Sequence, residues 1–171
     1  MSMRAEINVL LGKELFHLKP LMPSQRVGRT MFISKEINAV VHPEWAPTSK
    51  GIRFARMRGT LDAFTEGRRI TVADDPYNKH PKATMARTDP VRDQVFDLRC
   101  LDPAPGIRVF GRFAEMDTFV AVTWEYRENI NGRDFDAAVV RCINGWHKLF
   151  PTTPLFSGRN LNEYVSNFYP V

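Results

Sequence analysis

The residues best suited to chemistry are arginines and phenylalanines that alternate along three strand-like segments. These segments span residues 95–100, 107–113 and 118–127, and in a β-strand successive side chains point to opposite faces of the sheet. Alternation then places four arginines and two phenylalanines on one shared face: Arg99, Arg108, Arg112, Arg127, Phe110 and Phe119. Guanidinium groups offer a rigid fork of N–H donors to phosphate oxygens, and exposed aromatic rings stack on unpaired bases. This face therefore has the residue types of an RNA-binding surface.

A second interpretation explains the same face without a ligand. Antiparallel sheets commonly keep one face in water, where a charged cross-strand pair such as Asp97 with an arginine adds a few tenths of a kcal/mol. Both interpretations require that this face be open to solvent.

The opposite face of the three segments is predicted to be apolar. It takes its side chains from all three strands: Phe96, Leu98, Cys100, Ile107, Val109, Phe113, Val120, Val122 and Trp124. A helix at 134–150 carries a continuous apolar stripe at helical spacing, and we expect it to cover this face.

Further basic side chains lie before the three strands. The segment 49–67 has an amphipathic pattern, with Ser49 as the expected N-cap. Arg53 and Arg56 fall in the first two turns of this predicted helix, where the helix dipole disfavours cations, so a solvated or ligand-facing role suits them better. A proline-interrupted segment at 74–90 is predicted to be a long basic loop that carries Lys79, His80 and Lys82.

The length and composition of the chain limit the classes of protein to which it can belong. The chain has 171 residues, 43% of them hydrophobic, and a net charge of +5, which fits one globular domain with an acidic or phosphate-bearing partner. Its two cysteines are too few for a cross-linked secreted domain, and no apolar run reaches membrane-spanning length, so we expect a cytoplasmic protein that is not bound to a membrane. The scattered histidines and cysteines lack metal-ligand spacing, and we expect neither a metal nor a cofactor.

The order of elements predicts an α+β fold. We expect an antiparallel sheet of about four strands, covered by the C-terminal helix at 134–150 and flanked by an N-terminal helix at 50–66. Short strands are predicted at 31–33, 37–42 and 70–73. The whole chain, 1–171, is expected to be a single domain in which 1–36 is an N-terminal extension, 37–150 the core and 151–171 a C-terminal tail.

The strings VFDLRC, GIRVFGRF and TFVAVTWEYR, in this order of strands and helices, resemble the RelE/HigB branch of bacterial toxins over roughly residues 37–150. The chain departs from that family in its length, in its long loop at 74–90 and in lacking a lysine-rich segment after the third strand. The resemblance implies a ribosome-dependent, metal-independent endoribonuclease that cleaves messenger RNA and is neutralised by a cognate antitoxin protein. RNA or the ribosome would then be its target, with no cofactor.

Such cleavage needs a proton removed from the ribose hydroxyl, charge stabilised at the phosphate and a proton given to the leaving oxygen. Under the resemblance Arg108 and Arg127 would stabilise charge, while His80 or Tyr126 would handle a proton. Tyr126 alternates onto the apolar face, so it reaches the site only where the strand ends or bulges. The remaining RNA contacts would come from Arg99, Arg112, Phe110, Phe119, Lys79, Lys82, Arg53 and Arg56.

Two other classes of function stay open on the sequence. One is a non-catalytic module of similar shape that binds a nucleic acid or a protein. The other is an enzyme acting on a small metabolite, which would need a concave apolar pocket that no motif indicates.

Overall fold

The computed structural model describes residues 2–75 and 78–171. Within this part of the chain, one sheet contains eight strands: β1 (Leu15–His17), β2 (Thr30–Ser34), β3 (Ile70–Ala73), β4 (Met85–Arg87), β5 (Phe96–Cys100), β6 (Ile107–Glu115), β7 (Thr118–Tyr126) and β8 (Phe168–Pro170). Four α-helices accompany the sheet: α1 (Met3–Leu10), α2 (Lys35–Asn38), α3 (Ser49–Thr65) and α4 (Arg133–Leu149). Three short 3-10 helices complete the fold: Val91–Asp93, Arg127–Asn129 and Leu161–Glu163.

The sheet is larger than predicted and is mixed rather than antiparallel. Its strand order is β1-β2-β7-β6-β5-β4-β3-β8. Strands β5, β6 and β7 form the predicted antiparallel meander, but β2 pairs parallel with β7, and β3 pairs parallel with both β4 and β8. The prediction of about four antiparallel strands is therefore wrong. The N-terminal extension supplies β1 and β2 and the C-terminal tail supplies β8, so both segments belong to the sheet.

Two local predictions also fail. Residues 37–42 are expected to be a strand, but the first two of them belong to α2. The helical turn starts there because the Ser34 side chain accepts a hydrogen bond from the backbone N–H of Ile37. The predicted loop at 74–90 contains β4, which lies between β3 and β5 in the sheet.

Helices cover both faces of the central strands, so neither face is the open surface that the sequence predicts. Helix α3 packs on the face formed by the apolar positions of β5 and β6, with Leu61 and Phe64 facing the sheet. Helix α4, expected on that apolar face, covers the opposite face, where Cys142 and Trp146 pack against Phe110. The part of the predicted arginine face around Phe110 and Arg112 is therefore covered by α4.

A β-bulge in β7 inverts part of the predicted alternation. Phe110 pairs with Thr123 but Gly111 pairs with Ala121, so Val122 is an extra residue in β7. Before the bulge, Phe119 joins the α3 face and Val120 the α4 face, the reverse of the prediction; Val122 also packs with α4. Gly111 is required here, because a Cβ atom at 111 would come within 2.2 Å of the Val120 carbonyl oxygen.

Helix α3 begins one residue earlier than expected. Thr48 rather than Ser49 is its N-cap, and the Thr48 hydroxyl accepts a hydrogen bond from the Gly51 N–H at 3.2 Å. Gly67 follows the helix with φ +77°, a left-handed conformation that terminates helices and favours glycine.

Several arginines are buried and hold the fold together. Arg29 donates to the carbonyl oxygens of Phe64, Arg68 and Ser166, and so joins the end of α3 to the C-terminal tail. Arg58 lies in α3, pairs with Asp62 at 2.8 Å, and also donates to two loop carbonyl oxygens. The net charge of +5 therefore overstates the positive charge available at the surface. Among the described residues, no helix combines the length and apolar character needed to cross a membrane.

Candidate nucleic-acid interface

The predicted arginine face contains a buried ion cluster. Arg99 and Arg108 share the carboxylate of Asp97, with Nε to Oδ2 distances of 3.2 and 3.5 Å, and Asp97 is fully buried. Arg99 also donates through Nη1 to the His80 carbonyl oxygen at 2.9 Å. Burial lowers the pKa of Arg108 to about 10, with the Asp97 carboxylate opposing that shift.

Other predicted RNA contacts on these strands also lie in the interior. Arg112 is buried, with its guanidinium carbon 5.5 Å from the centre of the Trp146 ring in α4. Phe110 packs against Phe135 of α4, and Phe119 packs on the other side of the sheet. The expectation that these side chains form an exposed surface is wrong, because α4 covers one face and α3 the other.

Of the four residues predicted to be catalytic, Tyr126 lies on the other face of the sheet from Arg108. Arg108 belongs to the Asp97 cluster, and Arg127 is near enough to Arg108 to contribute to its lowered pKa. Arg127 donates to the Ile130 carbonyl oxygen at 2.8 Å. Tyr126 lies on the α3 side of the sheet, where burial raises the pKa of its hydroxyl group.

The remaining predicted contacts are spread over two regions. Arg53 lies 4.1 Å above the Tyr126 ring and pairs with Glu128 at 2.7 Å. In the basic loop His80 and Lys82 are exposed, whereas Lys79 pairs with Asp89 at 2.9 Å.

The described residues form a cleft of about 600 Å³ beside α3, which we call the arginine cleft. Helix α3 supplies one wall, and the starts of β3 and β4 with the end of β5 supply the other. The lining carries four arginines and one carboxylate: Arg56, Arg68, Arg69, Arg99 and Asp102. The cleft is therefore strongly cationic.

Small residues leave the helical wall of the arginine cleft open. Ala55, Gly59 and Ala63 are spaced by four positions, which places them on one face of α3. A Cβ atom added at Gly59 would meet no other atom within 4 Å. The backbone of α3 is thus accessible between the arginines.

The four arginines differ in how firmly they are held. Arg56 and Arg68 have side chains 65% and 67% exposed; Arg56 pairs with the exposed carboxylate of Asp102, and Arg68 pairs with Glu66, whose side chain is only 15% exposed. The exposed Arg56–Asp102 pair contributes about 0–1 kcal/mol, so a stronger anion can displace it. Arg99 contributes to the cleft wall from β5, but Asp97 and the His80 carbonyl oxygen hold its guanidinium group on the sheet face opposite α3.

The sequence predicts an RNA-binding role for Arg56 and Arg99 but not for Arg68 and Arg69. A signal was present, because these two arginines directly follow Gly67, and cations are favoured at the C-terminal end of a helix. Nothing in the local sequence indicates that residue 69 and residue 99 lie on one cleft.

Neither cysteine thiol is a nucleophile at neutral pH. Burial raises the pKa of both Cys100 and Cys142 to about 12, so both thiols stay protonated. Within 2–75 and 78–171 no group of three or more His, Cys, Asp or Glu side chains is arranged to hold a metal ion.

Comparison with known proteins gives no further guide to the site: no family model matches the chain, and no curated protein or solved structure is significantly similar to it.

Proposed function

We propose that this chain is a nucleic-acid-binding module that holds phosphate groups in the arginine cleft. The observation that carries the proposal is a cleft whose lining includes the exposed side chains of Arg56 and Arg68, together with Arg69, and has a single carboxylate. Nucleic acids are the abundant ligands that present several phosphates at a regular spacing, and arginine matches phosphate oxygens through paired N–H donors. RNA is the target that the resemblance to toxins favours.

The arrangement suits phosphate better than a small apolar metabolite. Arg99 uses Nε and Nη1 for Asp97 and the His80 carbonyl oxygen on the sheet face opposite α3, so the phosphate contacts are left to the arginines near α3. Arg56 needs only to exchange a weak surface partner, and Arg68 has an exposed side chain beside it. A phosphate in the cleft would therefore meet two exposed arginines, Arg56 and Arg68, whose side chains adjust to it.

Ribosome-dependent cleavage and neutralisation by an antitoxin remain predictions of the toxin resemblance. We put the binding role first because Arg99 and Arg108 are largely buried and share the Asp97 carboxylate, and because Tyr126 lies across the sheet from them. We also propose a cytoplasmic site of action, since both cysteines are free, as is usual in a reducing compartment.

The salt dependence of binding tests this proposal. Replacing Arg56 with glutamine is expected to remove one phosphate contact, so the slope of log affinity against log salt concentration should fall by about one. Fluorescence anisotropy with a labelled 12-nucleotide RNA of mixed sequence measures the slope. Affinity at low salt should fall several-fold.

Arg92→Gln is the matched control. Arg92 has a side chain 86% exposed in the 3-10 helix Val91–Asp93, away from the residues that line the arginine cleft. This variant should bind with nearly the wild-type slope. Equal slopes for Arg56→Gln, Arg92→Gln and wild type would contradict phosphate binding in the cleft.

A further inference from the structure

We propose that Arg112 binds a small monovalent anion of the size of chloride in the interior of the fold, between β6 and α4. This site is separate from the arginine cleft, because Arg112 is not among the residues that line the cleft. The inference therefore does not depend on the proposed function. It rests on a buried positive charge that the described residues leave without a partner.

Arg112 differs from the other buried arginines in its contacts. Five arginines of the described chain are buried: Arg29, Arg58, Arg87, Arg99 and Arg112. The first four each donate hydrogen bonds to oxygen atoms of the backbone or of side chains. Arg112 is only 2% exposed, yet its Nε and Nη1 have no hydrogen-bond partner among the described residues, and no carboxylate of those residues forms a salt bridge with it.

The aromatic ring beside Arg112 supplies no acceptor atom. The guanidinium carbon of Arg112 lies 5.5 Å from the centre of the Trp146 ring in α4, so the two side chains make a cation–π contact. The Nε1 atom of Trp146 is itself a buried donor without a partner. The N–H groups of both side chains therefore lack acceptors, and buried polar groups of this kind are usually satisfied by a bound water or ion.

The nearby residues that affect the pKa of Arg112 do not balance its charge. Burial lowers this pKa, while Cys142 and Asp93 oppose the shift. The Cys142 thiol has a pKa of about 12 and is neutral at pH 7, and the salt-bridge partner of Asp93 is Arg92, at 4.0 Å. Arginine keeps its proton at neutral pH, so the buried charge of Arg112 requires an anion from outside the chain.

The charge and the surroundings of Arg112 favour a small monovalent anion. One guanidinium group carries one positive charge, so a doubly charged phosphate would bring an unbalanced negative charge into the interior. Apolar side chains of the same cluster leave that extra charge no other partner: Val95, Phe110 and Val120. A water molecule accepts hydrogen bonds but leaves the positive charge unbalanced. A halide ion accepts hydrogen bonds and also balances the charge.

Thermal unfolding in two salts tests this inference. Wild type and Arg112→Met are compared in sodium chloride and in sodium gluconate of equal ionic strength, because gluconate screens charges equally but is too large for the interior. With a dissociation constant of about 20 mM, about 0.2 M chloride should raise the melting temperature of wild type by about 3–6 °C above its value in gluconate. Methionine has a similar length and no charge, so Arg112→Met should melt at the same temperature in both salts.

Arg92→Met is the matched control, because the Arg92 side chain is 86% exposed. This variant should keep the full effect of chloride on the melting temperature. An equal effect of chloride on wild type and Arg112→Met would overturn the inference. A wild type that melts at the same temperature in both salts would also overturn it, and would indicate that water alone satisfies these donors.

A second measurement uses wild type alone and decides the question if Arg112→Met does not fold. The Arg112 Nε–H and Trp146 indole N–H signals in a nitrogen–proton correlation NMR spectrum should shift during titration with chloride and reach saturation. Gluconate should leave both signals in place. Signals that respond to neither salt, or equally to both, would overturn the inference.

Discussion

Replacing Asp97 with alanine is expected to lower the free energy of unfolding by about 3–5 kcal/mol. Asp97 is the shared partner of Arg99 and Arg108, and its side chain is 1% exposed. Without this carboxylate two largely buried guanidinium groups face each other unpaired, which costs both the lost attraction and the repulsion between like charges. Urea denaturation followed by circular dichroism measures the change.

Asp102→Ala is the control for this prediction. Asp102 pairs with Arg56 at 3.8 Å, but its side chain is 81% exposed, so its removal should change stability by no more than about 0.5 kcal/mol. Similar unfolding midpoints for the two variants would contradict a buried ion cluster. They would indicate that the arginine face is exposed to solvent.

The second large effect is expected at Gly59, on the helical wall of the arginine cleft. Gly59→Glu places a carboxylate among Arg56, Arg68 and Arg69, where it competes with the ligand phosphate and repels it. Two like charges about 4 Å apart repel by about 1 kcal/mol in bulk water and about 4 kcal/mol at an effective dielectric constant near 20. A repulsion of about 2.7 kcal/mol lies within this range, so we expect RNA affinity to fall about a hundredfold at low salt. Anisotropy titration with the same labelled RNA measures this loss.

Gly59→Gln separates the effect of charge from that of bulk. Glutamine has nearly the same shape as glutamate but no charge. The RNA affinity of the Gly59→Gln variant should therefore lie much closer to that of wild type. Both variants should fold, because the added side chain enters open space and glycine is less favourable than other residues in a helix by roughly 0.5–1 kcal/mol. A glutamate variant that binds RNA as tightly as the glutamine variant would exclude the cleft as the binding site.

The parts of the fold that the sequence predicts are those with strong local periodicity. The β5–β7 meander and the helices α3 and α4 follow from alternation and from apolar residues at helical spacing. The parallel pairs are not predictable in this way, because β2 meets β7, and β3 meets β8, across long stretches of chain. Strands of three to five residues carry too little pattern to identify such partners.

The site was harder to predict than the fold. A strand that alternates apolar residues with arginines is expected to have one buried face and one exposed face. Here Asp97 lies two positions before Arg99 on the same face, and its carboxylate compensates for the burial of two arginines. The sequence also cannot show that a second helix covers the second face, or that an extra residue in β7 reverses part of the alternation. The arginine cleft draws on α3, β3 and β5, which only the folded chain brings together.

The most direct test of the arginine cleft is an amide chemical-shift map of the isotope-labelled chain during titration with a short single-stranded RNA. We predict that the largest changes fall at Gly59, Arg69 and Thr84, which line the cleft, while Val140 on the exposed side of α4 stays unchanged. Largest changes along α4 or in the basic loop around His80, with the cleft signals unmoved, would contradict the central claim.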